Sequence, residues 1–333
     1  MISPFSWRRT ELAIDFGTAN LRVIRRDDGI VFDEPSLCCF AEVDTRPRLM
    51  AAGLEAHSMV DRTPRSLKVR QPLRRGVMHD IDAARDLLRY AVPRALGRKR
   101  IGGVRAMIGV PLDATQAERS AMMTAARDAG LGSIQFIAEP FAAAVGADLP
   151  VGKPTATMVV ECGAGTTEVA VLSLGGMCLA RSVRLGGGSL DRAIADHLHF
   201  EHKFLVGDLT AERIKQEYVR LRQTGLEPGL SVEAKGRDIA SGVPAALTVT
   251  VAELDDVVTR HVRPIVDLIC ETLSHTPPEL SNDLHTSGIV LTGGSALMPR
   301  LREMIEEATG LPVAVADHPA HCVANGLHRM LQN

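Results

Sequence analysis

At 333 residues, with 38 Lys plus Arg against 40 Asp plus Glu and a net charge of -2, the chain has room for two domains and carries no overall electrostatic footprint for nucleic acid or an anionic membrane. The six cysteines (Cys38, Cys39, Cys162, Cys178, Cys270, Cys322) are scattered without CxxC spacing, which argues against a disulfide framework or a zinc site and for a reduced, cytoplasmic protein. No apolar run reaches the roughly 18 residues that span a bilayer, and the N-terminus lacks the apolar core of a signal peptide.

The first nine residues, "MISPFSWRR", set Ile2, Phe5 and the only tryptophan, Trp7, beside Arg8 and Arg9. Apolar anchors next to basic residues suit the interface of an anionic leaflet, although Pro4 opposes a stable helix. Strand-like "ELAIDF" follows, then helical "HDIDAARDLLRYAV", a basic turn "GRKRIGG", strand-like "RAMIGV" and helical "TQAERSAMMTAARDAG". In that last helix Thr115 and Glu118 have capping-box spacing and Gly130 suits the stop, with Met122 and Met123 read as core and helix surface. The second half repeats the alternation: "ATMVVE", "DRAIADHLHFEHKF", "VAELDDVVTRHVRPIVDLICETL", "SGIVLT" and "PRLREMIEEATG". Such alternation indicates α/β layers with a largely parallel core. Residues 220–249, "RLRQTGLEPGLSVEAKGRDIASGVPAALTV", are punctuated by Gly and Pro and read as hairpins or loops of a small inserted subdomain. In "HLHFEH", His197 and His199 point about 200° apart on a helix and cannot easily share an ion, so the run is read as helix surface rather than metal site.

A weak internal repeat organises the whole. "LAIDFGTANLRVI" and "MVVECGAGTTEVAV" share one plan: apolar strand, acid, one residue, Gly, small polar residues, second strand. Asp15 corresponds to Glu161 and Gly17 to Gly163, 146 residues apart. Gly turns let backbone N–H groups approach a phosphate closely, and Thr hydroxyls add donors, so each tip can cradle an anion. An acid beside a phosphate repels it, and a buried carboxylate costs several kcal/mol unless it is paired. A hydrated Mg²⁺ between acid and phosphate removes both conflicts. The spacing therefore predicts one ligand gripped between two similar halves, with Asp15 and Glu161 facing the metal. A third Gly site, Thr292-Gly293-Gly294-Ser295, lies between a strand and a helix, where a ligand meets a helix N-terminus. Neither a Walker A motif nor a GxGxxG with its downstream acid is present, so P-loop and Rossmann binding are not supported.

Taken together, Asp15-Phe16-Gly17-Thr18-Ala19-Asn20, Glu139-Pro140-Phe141-Ala142-Ala143-Ala144, "VVECGAGTTEVAV", "AERIKQE" and "LTGGSAL" resemble the phosphate-1, connect, phosphate-2, base-contacting and adenosine motifs of the actin/DnaK-type ATPase superfamily. The flanking text ("GIVFDEPS", "RQPLRRGVMHDID", "GVPLDATQAER", "SHTPPEL", "TGLPVAVADHP") is similar to the bacterial MreB family of rod-shape-determining actin homologues, and the resemblance runs from about Leu12 to Leu331.

The resemblance implies an actin-like α/β fold of two domains around a nucleotide cleft: residues 1–150 with a small insertion near 39–71, residues 151–319 with one near 188–249, and a C-terminal helix at 320–333 returning to the first domain. It implies ATP and Mg²⁺ as cofactors. Asp15 and Glu161 then hold Mg²⁺ through water; Gly17, Thr18, Ala19, Asn20, Gly163, Ala164, Gly165 and Thr166 embrace the phosphates; Gly293, Gly294 and Ser295 lie against adenosine. Glu212 and Lys215 match positions that touch ribose and base, and Glu139 the residue that orients the attacking water, with Thr166 assisting. Two positions depart from the family's usual pattern, Glu161 for Asp and Ala164 for Gly; a carboxylate one methylene further out predicts ATP binding with slower hydrolysis. A third, Gly188 where Asp is frequent, has no evident role. The implied partners are other copies of the chain in a filament, the inner membrane surface through Ile2, Phe5 and Trp7, and the cell-wall elongation machinery, with no nucleic acid. The functional expectation is a filament former that times its disassembly by hydrolysis and guides wall synthesis from beneath the inner membrane. The alternatives are a divergent filament that positions a plasmid or organelle, and a small-molecule kinase of the same superfamily, for which no convincing base motif is found. A chaperone ATPase would need a peptide-binding region after the nucleotide domain, and the chain ends at Asn333.

Overall fold

The computed structural model describes residues 10–42, 47–97, 104–225 and 229–333. Ile2, Phe5, Trp7 and most of the "GRKRIGG" turn lie outside these ranges.

Ten strands form two five-stranded sheets with the same connectivity. The first contains β1 (Thr10–Phe16), β2 (Asn20–Arg25), β3 (Gly29–Pro35), β4 (Val104–Val110) and β5 (Leu131–Ala138), in the order β5-β4-β1-β2-β3. The second contains β6 (Thr157–Cys162), β7 (Thr167–Ser173), β8 (Gly176–Val183), β9 (Ile289–Thr292) and β10 (Val313–Val315), in the order β10-β9-β6-β7-β8. In each, the first three strands form an antiparallel meander and the last two add in parallel beside the first. Half of each sheet's pairings are thus antiparallel, where the sequence suggested a largely parallel core. Turns of a few residues such as Gly17–Ala19 can only reverse the chain, whereas parallel strands need a long crossover.

Helices supply those crossovers. The longer helices include α1 (Ile81–Leu96), α2 (Gln116–Asp128), α3 (Glu139–Gly146), which leads from the first sheet to the second, α4 (Gly187–His202), α5 (Asp208–Thr224), α6 (Val251–Ser274), α7 (Pro299–Thr309) and α8 (Cys322–Gln332), which follows the last strand. Asp80 caps α1 by accepting from Ala83 N–H, and the Thr115/Glu118 capping box at α2 is formed as the spacing predicts. Helix α5 buries Ala211, Ile214, Tyr218 and Leu221, so its apolar stripe carries the helix through "RLRQT", which composition had assigned to hairpins or loops. The hairpin itself is Ser231–Asp238 with Pro244–Thr250, and with Phe204–Leu205 it makes a three-stranded sheet. A second small sheet, Cys38–Ala41, Arg48–Ala52 and Leu67–Arg70, follows β3.

Alternation along the strands decides what faces the site. Leu12, Ile14 and Phe16 pack into a core with α1 and α2, whereas Ala13 points the other way. Met158, Val160 and Cys162 likewise pack with α4 to α7, and Val159 turns away. Ala13, Ile24, Val159, Ala170 and Leu172 share a central layer with Ala142, Ala143 and Ala144 of α3 and Val323, Ala324 and Leu327 of α8. The two sheets therefore meet across α3 and α8. By the same alternation Asp15, Arg22, Glu161 and Glu168 point towards this layer, at the strand ends where it stops and a cleft opens.

Candidate functional site

The β1–β2 and β6–β7 turns are closed by the same hydrogen bond: Gly17 N–H donates to Asn20 C=O at 2.9 Å, and Gly163 N–H donates to Thr166 C=O at 2.9 Å. Both turns open into one cleft of about 1480 Å³. Its lining includes every residue singled out from the sequence as catalytic, phosphate-, base-, adenosine- or metal-binding, from Asp15 and Asn20 through Glu139, Glu161 and Thr166 to Glu212, Lys215 and Ser295.

The turns approach closely. A Cβ on Gly165 would fall 2.3 Å from Thr18 Oγ1 and 2.5 Å from Gly76 N, so only glycine lets the second turn lie against the first. Thr18 Oγ1 accepts from Gly76 N–H at 3.1 Å, which brings the Arg75–Gly76 turn to the same point. The second turn is also fastened from behind. Gly163 C=O accepts from Gly187 N–H at 3.0 Å and from Ser295 Oγ at 3.0 Å, and Ala164 C=O accepts from Gly188 N–H at 2.9 Å. Ser295 thus spends its hydroxyl on the Gly163–Thr166 turn, and Gly188, without a role in the sequence reading, is part of that fastening. Ala164 is outside the left-handed backbone region, so its methyl adds no backbone strain. Gly293, by contrast, has φ +81°, and a Cβ there would meet Cys162 C=O at 2.3 Å. Asn20 Nδ2 donates to Asp33 Oδ1 at 2.6 Å, and Lys215 Nζ pairs with Asp191 at 2.8 Å.

The two acids have different neighbours. Asp15 is buried and pairs with Arg22 at 2.9 Å; Arg22 also reaches Asp33 at 3.1 Å. Burial raises the Asp15 carboxyl's affinity for a proton, and Arg22 opposes that shift. Glu161 has no such partner. Its neighbours are Glu168 and Glu139, and one carboxylate oxygen from each of the three lies within 4.8 Å of the others. Among the described residues none of the three forms an ion pair. Burial first, and then mutual repulsion, push Glu161 and Glu139 well above the usual carboxylate range, while burial brings Glu168 to about 8. Glu168 Oε1 accepts from Leu112 N–H at 2.6 Å, and its Oε2 is buried without a partner. A cluster of two buried carboxylates and the half-buried Glu139 beside the two Gly turns fits a divalent cation, the charge it lacks. Arg22, Glu168 and Asp191 were not singled out from the sequence. The repeat itself held the signal, since Arg22 and Glu168 each stand seven residues after the acid of their hairpin.

Comparison with known proteins agrees with this architecture. The MreB/Mbl protein family model matches residues 9–333. The cell shape-determining protein MreB of Escherichia coli is 37% identical over 325 residues, 97% of this chain and 93% of that protein. The cell shape-determining protein Mbl of Bacillus subtilis is 33% identical over 323 residues, 97% and 96% of the two chains. Among solved structures, MreB5 of Spiroplasma citri bound to ADP superposes with a TM-score of 0.88 at 29% identity, covering 96% of this chain and 95% of that one. The MamK double helical filament, at 21% identity and a TM-score of 0.78, shares the fold. With two duplicated α/β halves of actin-like form and this similarity along nearly its whole length, the chain belongs to the MreB/Mbl family.

Proposed function

We propose that this chain is an ATP-binding, actin-like cytoskeletal protein that polymerises into membrane-associated filaments and helps determine cell shape by organising wall synthesis. The observation that carries the reading is the pair of equivalent turns, Gly17–Asn20 and Gly163–Thr166, facing each other across one cleft. The MreB5 relative, with structures bound to ADP and to AMPPNP, supports nucleotide as the occupant.

In this reading the backbone N–H groups and hydroxyls of Gly17, Thr18, Ala19 and Asn20 meet one side of the polyphosphate, and those of Gly163, Ala164, Gly165 and Thr166 the other. Glu212 and Lys215 border the ribose and base, and Gly293 and Gly294 give adenosine a flat seat. Asp15 and Glu161 would hold Mg²⁺. When bound, Mg²⁺ supplies positive charge to the phosphates and the facing carboxylates. Glu139, at the first turn of α3, orients the attacking water with Thr166.

Calorimetric titration with ATP and Mg²⁺, followed by sedimentation and electron microscopy, tests the proposal. One nucleotide bound per chain and nucleotide-dependent polymers are expected; no adenine nucleotide uptake would overturn it. The membrane part is tested by liposome flotation of the chain lacking residues 2–9. Loss of flotation is expected, and undiminished binding would remove Ile2, Phe5 and Trp7 from the account.

A further inference from the structure

Away from the cleft, two helices of the second half bring together three side chains that the nucleotide reading does not use. His197 and His202 stand in the last turns of α4, which ends where Lys203 adopts left-handed backbone. Glu253 stands in the first turn of α6, whose N-terminus is fixed by the Thr250 cap. His197 Nε2 lies 2.6 Å from Glu253 Oε1, and His202 Nε2 contacts the same oxygen. The three potential ligand atoms all lie within 4.8 Å of one another. Their side chains are 14%, 28% and 26% exposed, so the cluster is held by packing yet open to solvent. Neither histidine nor Glu253 lines the nucleotide cleft.

We propose that His197, His202 and Glu253 form a zinc site that ties the end of α4 to the start of α6. Two imidazole nitrogens and one carboxylate oxygen are a ligand set for Zn²⁺, with water at the fourth position, whereas Mg²⁺ prefers an all-oxygen shell. At Zn–N and Zn–O distances of about 2.0–2.2 Å, neighbouring ligands of a tetrahedral ion stand about 3.3 Å apart. The side chains need to open by less than about 1 Å to admit the ion, a rotamer adjustment at a partly exposed surface. The helix angle that separates His197 from His199 does not apply here. His202 sits at the helix end, and the shared ligand comes from another element, so the pair converges although it is five residues apart. Binding takes neutral imidazoles and an ionised carboxylate, so uptake releases any protons the ligands carry.

The test uses the full chain stripped with a chelator and titrated, without nucleotide, with Zn²⁺ against a chromophoric competitor and with Co²⁺ as a spectroscopic substitute. One Zn²⁺ per chain is expected, and Co²⁺ should give the visible bands of a four-coordinate nitrogen and oxygen site without thiolate charge transfer. His202→Ala and Glu253→Gln should each weaken binding by more than the roughly 10–100-fold that loss of a supporting group costs, and Cys178→Ser should change nothing. His202→Ala, at the helix end, keeps the test decisive if His197→Ala fails to fold. The proposal is overturned if the native chain takes up no Zn²⁺, if Co²⁺ reports thiolate, or if uptake survives in the His202→Ala variant.

Discussion

Glu161 and Glu168 are cross-strand partners in the β6–β7 hairpin, and the pair holding the same place in the β1–β2 hairpin is Asp15 with Arg22. Directly opposed residues of an antiparallel pair project on one face, so each acid meets its partner at close range. Duplication of the hairpin has therefore kept the turn and inverted the charge beside it. The first half neutralises its own acid with Arg22, and the second leaves its acids without a basic partner.

That inversion sets a pH dependence in the absence of Mg²⁺ and nucleotide. Glu168 has an ordinary value of 4.5 and is raised by burial to about 8, and Glu161 and Glu139 are shifted in the same direction. A folded state that holds protons more tightly than the unfolded chain is fully favoured below the unfolded value and loses that advantage as pH climbs towards the folded one. Urea unfolding in EDTA should show the protein less stable at pH 8 than at pH 6, by on the order of 1–2 kcal/mol, with Glu168→Gln removing part of the difference. Equal stability of the native chain at the two pH values would contradict the charge cluster.

Arg22 presents the opposite case. Its side chain is 14% exposed and that of Asp15 7%, so Arg22→Met strands a buried carboxylate. The expected loss is about 3–5 kcal/mol in denaturant unfolding, and adding Asp15→Asn should recover a good part of it. Additive effects of the two substitutions would mean that the ion pair does not organise the hairpin.

How far the sequence foretold this arrangement depends on whether a feature is local. Gly turns, capping boxes and apolar alternation are written within a few residues, so the acid-tipped hairpins and most helices were legible. Which face of a strand meets the central layer of α3 and α8 is decided by elements outside the hairpin, α8 lying more than a hundred residues from either one. "TTEVAV" consequently read as an ordinary strand, and Glu168, the nearest partner of Glu161, stayed hidden. Arg22 in "NLRVI" was obscured in the same way. The fastening of the second turn by Gly187, Gly188 and Ser295 joins two distant segments, and no spacing announces it.

The contact between the turns allows a paired test at adjacent positions. Gly165→Ala places a methyl 2.3 Å from Thr18 Oγ1 and 2.5 Å from the Gly76 backbone, so the turns must separate. ATP affinity measured by calorimetry with Mg²⁺ should fall about tenfold or more while the melting temperature moves little. Ala164→Gly relieves no strain, because Ala164 is outside the left-handed region, and it adds backbone freedom costing about 0.5–1 kcal/mol. No gain in ATP affinity is expected there. Improved binding by that variant would restore Ala164 as a defect of the turn.

Glu161 itself shows how one methylene reaches the chemistry. Its Oε1 would lie 2.7 Å from a Cβ on Gly293 and 3.4 Å from one on Gly163, so the longer side chain brings its carboxylate up against the Gly293 backbone. The absence of a side chain at Gly293 makes room for it. An Asp at this position would draw the carboxylate back by one methylene, away from Gly293. Misplacement of about 1 Å at a reacting centre costs up to about a hundredfold in rate, whereas binding of the proposed nucleotide, spread over many contacts, tolerates it. Glu161→Asp should therefore raise phosphate release by about tenfold or more and leave ATP affinity within a few-fold, a change in turnover without a matching change in binding. Phosphate-release kinetics beside calorimetry separate the two quantities. Unchanged turnover would mean that carboxylate reach at Glu161 does not limit hydrolysis, and a parallel loss of affinity would mean that Glu161 grips the ground state instead.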